Sequence, residues 1–233
     1  MEKVRINKYL RDCGVGSRRK AESLILEGKV SINGNIIKEL GTLVEPGDLV
    51  LVNGQKVTAI ETYVYYMLNK PKGYECTHKS HNNEPTIYDL FPKSPSLFSI
   101  GRLDRDTTGL LIVTNDGEFA NLVIHPSSNI TKEYIATIQE DITPHHLQKI
   151  SEGTFVEDTF VKPHLVERID LHSIKVVVKE GKKREVRILV KNGGLTLINL
   201  TRTKIGNLTL NQLPIGKFRP LTDKEKDSIF NNT

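Results

Sequence analysis

The sequence predicts an α+β protein of two domains, because the first fifty residues and the remainder follow different patterns. Residues 1–52 are predicted to form two short helices followed by short strands. From Tyr63 onward the pattern is strand-rich with interspersed helices, and we find neither an internal repeat nor a low-complexity tract. Residues 53–62 show no clear periodicity, which is typical of a linker. We therefore expect a small domain at 1–52, a linker at 53–62 and a larger domain at 63–233.

Capping and turn residues define the elements of the small domain. Apolar residues four apart indicate a first helix, which Gly14 can end in a left-handed conformation. Ser17 is a plausible N-cap for a second helix, which Gly28 stops. Asn-Gly at 33–34 predicts a β-hairpin, and Pro-Gly-Asp at 46–48 predicts a turn before the next strand.

The two predicted helices carry an excess of positive charge, with eight basic and three acidic residues between positions 3 and 29. Three of the cations follow Ser17 at a helix N-terminus, where the helix macrodipole is already positive, so they do not serve helix stability. A solvated basic face is one explanation. Phosphate binding is the better one, because the free N–H groups of the same helix end also attract anions. The candidate phosphate contacts are Arg5, Lys8, Ser17, Arg18, Arg19 and Lys20.

Hydrophobic periodicity predicts the elements of the larger domain. The predicted strands are 63–69, 110–113, 132–138, 160–166 and 174–179. Helices are predicted at 118–124, 144–150 and 180–190, and the last of these has Val186, Leu189 and Val190 as its buried stripe. A capping box at 222–225 predicts the start of a further helix.

The densest charge in this domain stands beside a predicted buried strand. Asp104 lies between Arg102 and Arg105, Asp106 follows Arg105, and the apolar run 110–113 comes after a Thr-Thr-Gly turn. Charged groups packed against a core strand cost on the order of several kcal/mol unless they are paired, so this arrangement usually marks a site. The residues alone leave open a solvated charged loop.

Three further segments hold polar residues in defined settings. Lys-Pro-Lys-Gly at 70–73 directly follows a predicted strand and gives a rigid turn with a cation at the strand end. Tyr134 lies on a predicted strand, where a tyrosine is usually a packing residue. Residues 179–191 contain six basic and two acidic residues at a helix start, which is compatible with either a surface helix or a binding site.

Composition restricts the classes of function. With 26% charged and 37% hydrophobic residues, the 233-residue chain is predicted to be globular, and its net charge of +5 favours polyanionic partners. We expect no membrane span, because no apolar run approaches ~20 residues, and no signal peptide, because the N-terminus Met1-Glu2-Lys3-Val4 does not have the pattern of one. Cys13 and Cys76 lack metal-ligand spacing, which predicts free thiols in a reducing cytoplasm. The sequence has no Walker loop, Gly-x-Gly-x-x-Gly motif or metal-ligand cluster.

Gly-Arg-Leu-Asp-Arg-Asp-Thr-Thr-Gly-Leu-Leu at 101–111 resembles the signature of the pseudouridine synthases, in the RsuA/RluB-like branch that modifies ribosomal RNA. Other segments are similar to further motifs of this family, in the family's order: 70–73, Lys-x-Tyr at 132–134, Arg-Glu-Val-Arg at 184–187, 200–206 and 213–221. Residues 5–48, with Arg-Ile-Asn-Lys-Tyr-Leu and Gly-Val-Gly-Ser-Arg-Arg, resemble the small RNA-binding module of ribosomal protein S4.

The resemblance implies a catalytic domain built on a mixed, mainly antiparallel sheet with flanking helices, which isomerises uridine to pseudouridine without a cofactor or metal. It implies that Asp104 is the essential carboxylate, that Tyr134 is the active-site tyrosine and that Arg187 forms an ion pair with Asp104. The further candidate substrate contacts are Arg102, which could fill the space of an extruded base, Lys70, Arg184 and Leu189. A second basic residue commonly follows the arginine matched by Arg187, and Ile188 stands there instead, which removes one RNA contact.

The expected partner is ribosomal RNA, naked or in an assembly intermediate, and the motifs favour 23S over 16S rRNA. We expect a cytoplasmic monomer. Two other classes are an RNA N-glycosidase, whose aspartate would also act at C1′, and a non-catalytic rRNA-binding assembly factor. Because Asp104, Tyr134 and Arg187 are all intact, the synthase is favoured over both.

Overall fold

The computed structural model describes residues 3–58, 62–80, 83–92 and 96–231, and it divides into two compact units. The first unit comprises Met1–Val64 with Lys93–Ser96, and the second comprises Tyr65–Pro92 with Leu97–Thr233. The domain boundaries predicted above at 52 and 63 stay a prediction.

The first unit packs two helices with short strands. Its elements are β1 Val4–Arg5, α1 Ile6–Asp12, α2 Arg18–Leu26, β2 Val30–Ile32, β3 Asn35–Ile37, β4 Leu43–Val44, β5 Val50–Val52 and β6 Gln55–Lys56. Four of the strands form an antiparallel sheet in the order β3-β2-β5-β6, and β1 pairs with β4. The apolar faces of both helices supply Ile6, Leu10, Ala21, Leu24 and Ile25 to the core of this unit.

The predicted helix caps of this unit are confirmed. Ser17 accepts a hydrogen bond from the Lys20 N–H at 3.3 Å, which satisfies one of the free donors at the start of α2. Gly14 and Gly28 follow the two helix ends with φ of +75° and +68°. Each thus provides the left-handed residue that a helix C-terminus favours.

Within the predicted linker at 53–62, Gln55–Lys56 form β6 and pair with β5. Asn53 and Gly54 have φ of +49° and +76°, as a two-residue hairpin turn requires. This is the same Asn-Gly signal that correctly predicts the hairpin at 33–34. Residues 59–61 of the predicted linker lie outside the described part of the chain.

The second unit is strand-rich, as the sequence predicts. Its elements are β7 Tyr65–Lys70, β8 Phe98–Ile100, β9 Thr108–Thr114, α3 Gly117–Ile124, β10 Lys132–Ile138, α4 Pro144–Glu152, β11 Thr154–Val156, β12 Thr159–Val161, β13 Leu165–Arg168, β14 Ser173–Val178, α5 Glu185–Asn192, β15 Leu197–Ile205, β16 Leu208–Thr209, β17 Phe218–Pro220 and α6 Asp223–Ser228.

The central sheet of this unit runs in the order β13-β14-β10-β15-β9-β7-β17, with β16 on β15 and β8 on β9. Strands β9 and β15 are parallel, and the other pairs are antiparallel. The predicted mixed, mainly antiparallel sheet is therefore confirmed. One apolar cluster packs α4 and α5 with β10 and β14, and a second packs α3 with β7 and β9.

The predicted single strand at 160–166 is wrong, because the structure has two strands there with different partners. β12 pairs with β11, whereas β13 pairs with β14. Pro163 lies between them, and a proline cannot donate to a strand ladder, so the chain changes partner at that point. The capping box at 222–225 is confirmed at the start of α6.

Gly109 allows the parallel pair at the centre of the sheet to form. It lies on β9 opposite Arg202 of β15, with φ of +105°. A Cβ atom placed on Gly109 would lie 2.2 Å from the carbonyl oxygen of Arg202. Any side chain here would therefore push β9 and β15 apart, in addition to the strain of the positive φ.

We expect Gly109→Ala to lower the free energy of unfolding by at least about 3 kcal/mol, because the added methyl group meets backbone rather than a flexible side chain. Urea denaturation measures the change. Gly181→Ala is the matched control, since nothing lies within 4 Å of its Cβ position. A loss for Gly109→Ala no larger than that of the control would contradict this account of the close approach.

Candidate active site

The loop that carries Asp104 is a tight turn in front of β9. The Thr107 N–H donates to the Asp104 carbonyl at 3.0 Å, which closes the turn. A second loop, after β7, is tied to it, because the Gly73 N–H donates to the Arg105 carbonyl at 2.8 Å. The charged stretch that the sequence marks as a site thus has a defined backbone conformation next to a buried strand.

Lys70, the last residue of β7, holds this turn in place through hydrogen bonds from its side chain. Its side chain is fully buried, and Nζ donates to the carbonyls of Thr107 at 3.0 Å, Asp104 at 3.1 Å and Pro71 at 3.1 Å, with a longer contact to Arg105 at 3.4 Å. Burial lowers the pKa of Lys70 to about 8. The predicted role of Lys70 as an RNA contact is therefore wrong, since its amine faces backbone carbonyls away from solvent.

Two guanidinium groups face the two carboxylates of the turn. Arg187 Nη1 lies 3.0 Å from Asp106 Oδ2, and its Nε lies 3.6 Å from Asp104 Oδ2. Arg184 Nη1 lies 3.7 Å from an oxygen of each carboxylate. The implied ion pair between Arg187 and Asp104 is present, but the shorter contact of Arg187 is with Asp106.

Arg187 is held firmly by its surroundings. Its side chain is only 14% exposed, and Nη2 donates to Thr107 Oγ1 at 2.8 Å. Burial lowers the pKa of this guanidinium, an effect that the charge of Asp106 opposes. The Arg187 group stays charged because guanidinium is a very weak acid, so the site keeps a fixed positive charge beside the carboxylates.

One row across the central sheet connects the site with Tyr134. Lys70 on β7 pairs with Gly109 on β9, Gly109 pairs with Arg202 on β15, and Arg202 pairs with Tyr134 on β10. Arg202 is 5% exposed, donates from Nε to the Leu110 carbonyl at 2.7 Å, and its Nη1 lies 3.5 Å from the Tyr134 hydroxyl. The half-buried Tyr134 is thus oriented by Arg202, a residue that the sequence analysis did not single out.

A surface depression of about 520 Å³ opens at the turn. Its lining residues are Lys72, Gly73, Asp104, Arg105, Asp106, Lys183 and Arg184. The Asp104 side chain is 32% exposed, so a carboxylate reaches solvent among four cationic side chains. Such a depression is suited to a polyanion that brings an electrophilic carbon to the carboxylate.

The remaining candidate substrate contacts, Arg102 and Leu189, differ in their exposure to solvent. Arg102 is exposed just ahead of the turn. Leu189 is fully buried in the core beside α5, so its predicted role in substrate binding is wrong. It belongs to the buried stripe of that helix, which the same sequence pattern predicts correctly. Ile188 packs partly buried against this core, which explains an apolar residue at a commonly basic position.

The basic residues of the first unit form a cationic helix start. Arg18, Arg19 and Lys20 are exposed in the first turn of α2, and Arg5 is exposed before α1, whereas Lys8 is only partly exposed. The Ser17 side chain is used as the N-cap, which leaves its role as a phosphate contact a prediction.

Sequence reasoning missed the parts played by Asp106, Thr107 and Arg202. The available signal for Arg202 is its alternation with Leu200 on β15, which puts an arginine at an inward-facing position. The charged stretch in the sequence includes Asp106, but no local pattern indicates its contact with Arg187, which joins positions 81 residues apart.

Within the described ranges, no group of three or more His, Cys, Asp or Glu side chains is arranged to hold a metal ion. Over the same ranges, no helix has the length and apolar character needed to cross a membrane.

We expect Lys70→Met to lower the free energy of unfolding by about 2–4 kcal/mol, because the carbonyls of the turn would lose their buried donor. That loss outweighs the relief of removing a buried charge. Urea denaturation tests this, with Lys72→Met, at an exposed position of the same loop, as the control. Equal unfolding midpoints for the two variants would show that Lys70 does not anchor the turn.

Comparison with known proteins shows which families the chain matches. Residues 64–192 match the RNA pseudouridylate synthase family, and residues 4–50 match the S4 domain. A ribosomal large subunit pseudouridine synthase B from Bacillus subtilis (strain 168) is 38% identical over 95% of this chain and 93% of its own length. A putative ribosomal large subunit pseudouridine synthase, SVR1, of Arabidopsis thaliana chloroplasts is 42% identical over 97% of this chain, which spans 60% of that protein.

Among solved structures, one described as a pseudouridylate synthase is 31% identical, with a TM-score of 0.71 over 97% of this chain and 99% of its own length. The match to the synthase family covers more than half of the chain, and the likeness to the Bacillus relative and to this structure extends over almost all of it. The chain therefore belongs to the RNA pseudouridylate synthase family and carries an S4 domain ahead of the synthase domain.

Proposed function

We propose that this protein isomerises a uridine of large-subunit ribosomal RNA to pseudouridine, with Asp104 as the catalytic carboxylate. The observation that carries the proposal is the position of Asp104, on a fixed turn at the edge of a depression lined by cations. The names of the Bacillus and Arabidopsis relatives support large-subunit rRNA as the substrate. The same reaction on 16S rRNA is the second candidate from the sequence motifs.

The reaction breaks the bond between N1 of the base and C1′ of the ribose, turns the base and joins C5 to C1′, while C5 loses a proton and N1 gains one. A carboxylate near C1′ can serve either as a nucleophile or as the base for a sugar proton. Both roles use a lone pair of an Asp104 oxygen, and Arg187 and Arg184 lie 3.6 and 3.7 Å from Oδ2 of this side chain. No redox or phosphoryl-transfer step occurs, so we expect no cofactor.

The target uridine has to leave its stack to reach Asp104, which costs a few kcal/mol, least for an unpaired base. In this proposal the exposed Arg102 fills the vacated space, and the Tyr134 ring stacks on the extruded base. Arg184 and the lysines of the depression hold the neighbouring phosphates.

The S4 domain supplies further phosphate contacts through the cationic start of α2. Recognition then depends on the backbone and shape of the RNA, in naked form or in an assembly intermediate. We expect the enzyme to act as a monomer, in the cytoplasm, where its rRNA substrate is made.

We expect Asp104→Asn to abolish turnover while the affinity for rRNA stays within about threefold, under ~0.7 kcal/mol. A pseudouridine map of 16S and 23S rRNA, from cells with and without the gene, provides the measurement. One uridine-derived signal should disappear without the gene and return with the wild type but not with Asp104→Asn.

Asp158→Asn is the control, because it makes the same change at an exposed turn between β11 and β12. Normal modification by Asp104→Asn would show that Asp104 is not the catalytic carboxylate. Release of free uracil by the wild type would identify an N-glycosidase, and binding of rRNA with an unchanged map would identify a non-catalytic assembly factor.

For the S4 domain, we expect replacement of Arg18, Arg19 and Lys20 by glutamine to flatten the slope of log K against log salt by up to about 2, since each phosphate contact contributes ~0.7 on single-stranded RNA. Filter binding of an rRNA fragment between low and moderate salt gives the slope. The control replaces three exposed lysines of the second unit, Lys149, Lys162 and Lys224, by glutamine. Identical slopes for both triple variants would argue against a specific RNA role for α2.

A further inference from the structure

The two carboxylates of the turn differ in their distances to the guanidinium groups of Arg187 and Arg184. Asp106 has the close partner, because Arg187 Nη1 lies 3.0 Å from its Oδ2. Asp104 has two cationic neighbours, Arg187 Nε at 3.6 Å and Arg184 Nη1 at 3.7 Å, and both distances exceed the 2.7–3.2 Å of N–H···O hydrogen bonds. The charge of Asp104 is therefore compensated by guanidinium groups that do not hydrogen-bond to it.

Asp106 and Thr107 orient the guanidinium of Arg187. Nη1 faces Asp106, and Nη2 donates to the buried Thr107 hydroxyl at 2.8 Å. Two of the three guanidinium nitrogens therefore contact groups other than the Asp104 carboxylate. The third nitrogen, Nε, is buried without a hydrogen-bond partner in the described part of the chain. A buried unpaired N–H costs about 1–3 kcal/mol, so this position is held against a local driving force toward Asp104.

We propose that Asp106 is a positioning residue that holds Arg187 away from direct hydrogen bonding with Asp104. This inference rests on the proposed catalytic role of Asp104. The Asp104 oxygens keep the stabilising field of the two arginines, yet they remain available at the edge of the depression.

The chemistry of the reaction explains why the distance between Arg187 and the Asp104 oxygens matters. Whether Asp104 attacks C1′ or accepts a sugar proton, it reacts through an oxygen lone pair. Charge-assisted hydrogen bonds from a guanidinium are strong and frequently bidentate, so a close pair with Arg187 would occupy those lone pairs. Asp106 takes that close pair in place of Asp104.

The test is a comparison of Asp106→Asn with Asp106→Glu in single turnover. Substrate RNA labelled with tritium at C5 of the target uridine reports the reaction, because C5 loses its hydrogen when it joins C1′. Asn is isosteric with Asp but uncharged, so Arg187 is free to close on Asp104. We expect the single-turnover rate of Asp106→Asn to fall at least about 30-fold, with the Kd for RNA within about threefold of wild type.

Asp106→Glu keeps a charged partner for Arg187, and its single-turnover rate should stay within about fivefold of wild type. Asp158→Asn is the matched control for loss of one negative charge, at an exposed turn, and should leave the rate unchanged. A structural effect alone would lower the urea midpoint of both Asp106 variants, whereas the proposal predicts a loss of rate that the conservative variant restores.

A wild-type rate in Asp106→Asn would overturn the proposal, as would equal losses in the Asn and Glu variants or a loss confined to Kd. Should Asp106→Asn fail to fold, Asp106→Ser removes the same carboxylate with a smaller side chain and has to show the same loss of rate. Failure of the proposed function is distinguishable, because the wild type would then release no tritium from C5, and an error in the role of Asp104 would leave Asp104→Asn as active as the wild type.

Discussion

A buried ammonium group holds the backbone on which the site is built. Lys70 ends a central strand, and its Nζ donates to carbonyls of the turn that begins at Asp104. Because those carbonyls face the interior, the carboxylates of Asp104 and Asp106 are left at the surface, 32% and 41% exposed. Burying a charged amine is costly, and hydrogen bonds to several carbonyls offset that cost. The placement of both carboxylates depends on this contact.

The sheet places the remaining groups relative to that turn. Residues of four adjacent strands share one row, Lys70, Gly109, Arg202 and Tyr134. Strands β9 and β15 can pair in this row only because Gly109 has no side chain where the backbone of Arg202 approaches it. A binding surface on a rigid sheet retains its geometry when an RNA is bound, so the energy of binding need not be spent on ordering the site.

The charges of the molecule differ in exposure between its two units. The cations at the start of α2 are exposed, so salt screens their interactions with other charges. Arg187 is largely buried, so its field acts on the two carboxylates with much less screening. The net charge of the chain is only +5, so the local distribution of charge distinguishes these two regions more than the total does.

The sequence alone determined the α+β class, most helices and strands, and the caps at Ser17 and Thr222, because these depend on local periodicity and turn chemistry. It also determined Asp104 as the candidate carboxylate, because one contiguous motif contains this residue. Tertiary structure alone decided that Lys70 is buried beneath the turn and that Arg187 lies nearer to Asp106 than to Asp104. Those contacts join residues 34 to 83 positions apart, and their distances are set by how the sheet brings separate strands and loops together, which local patterns do not encode.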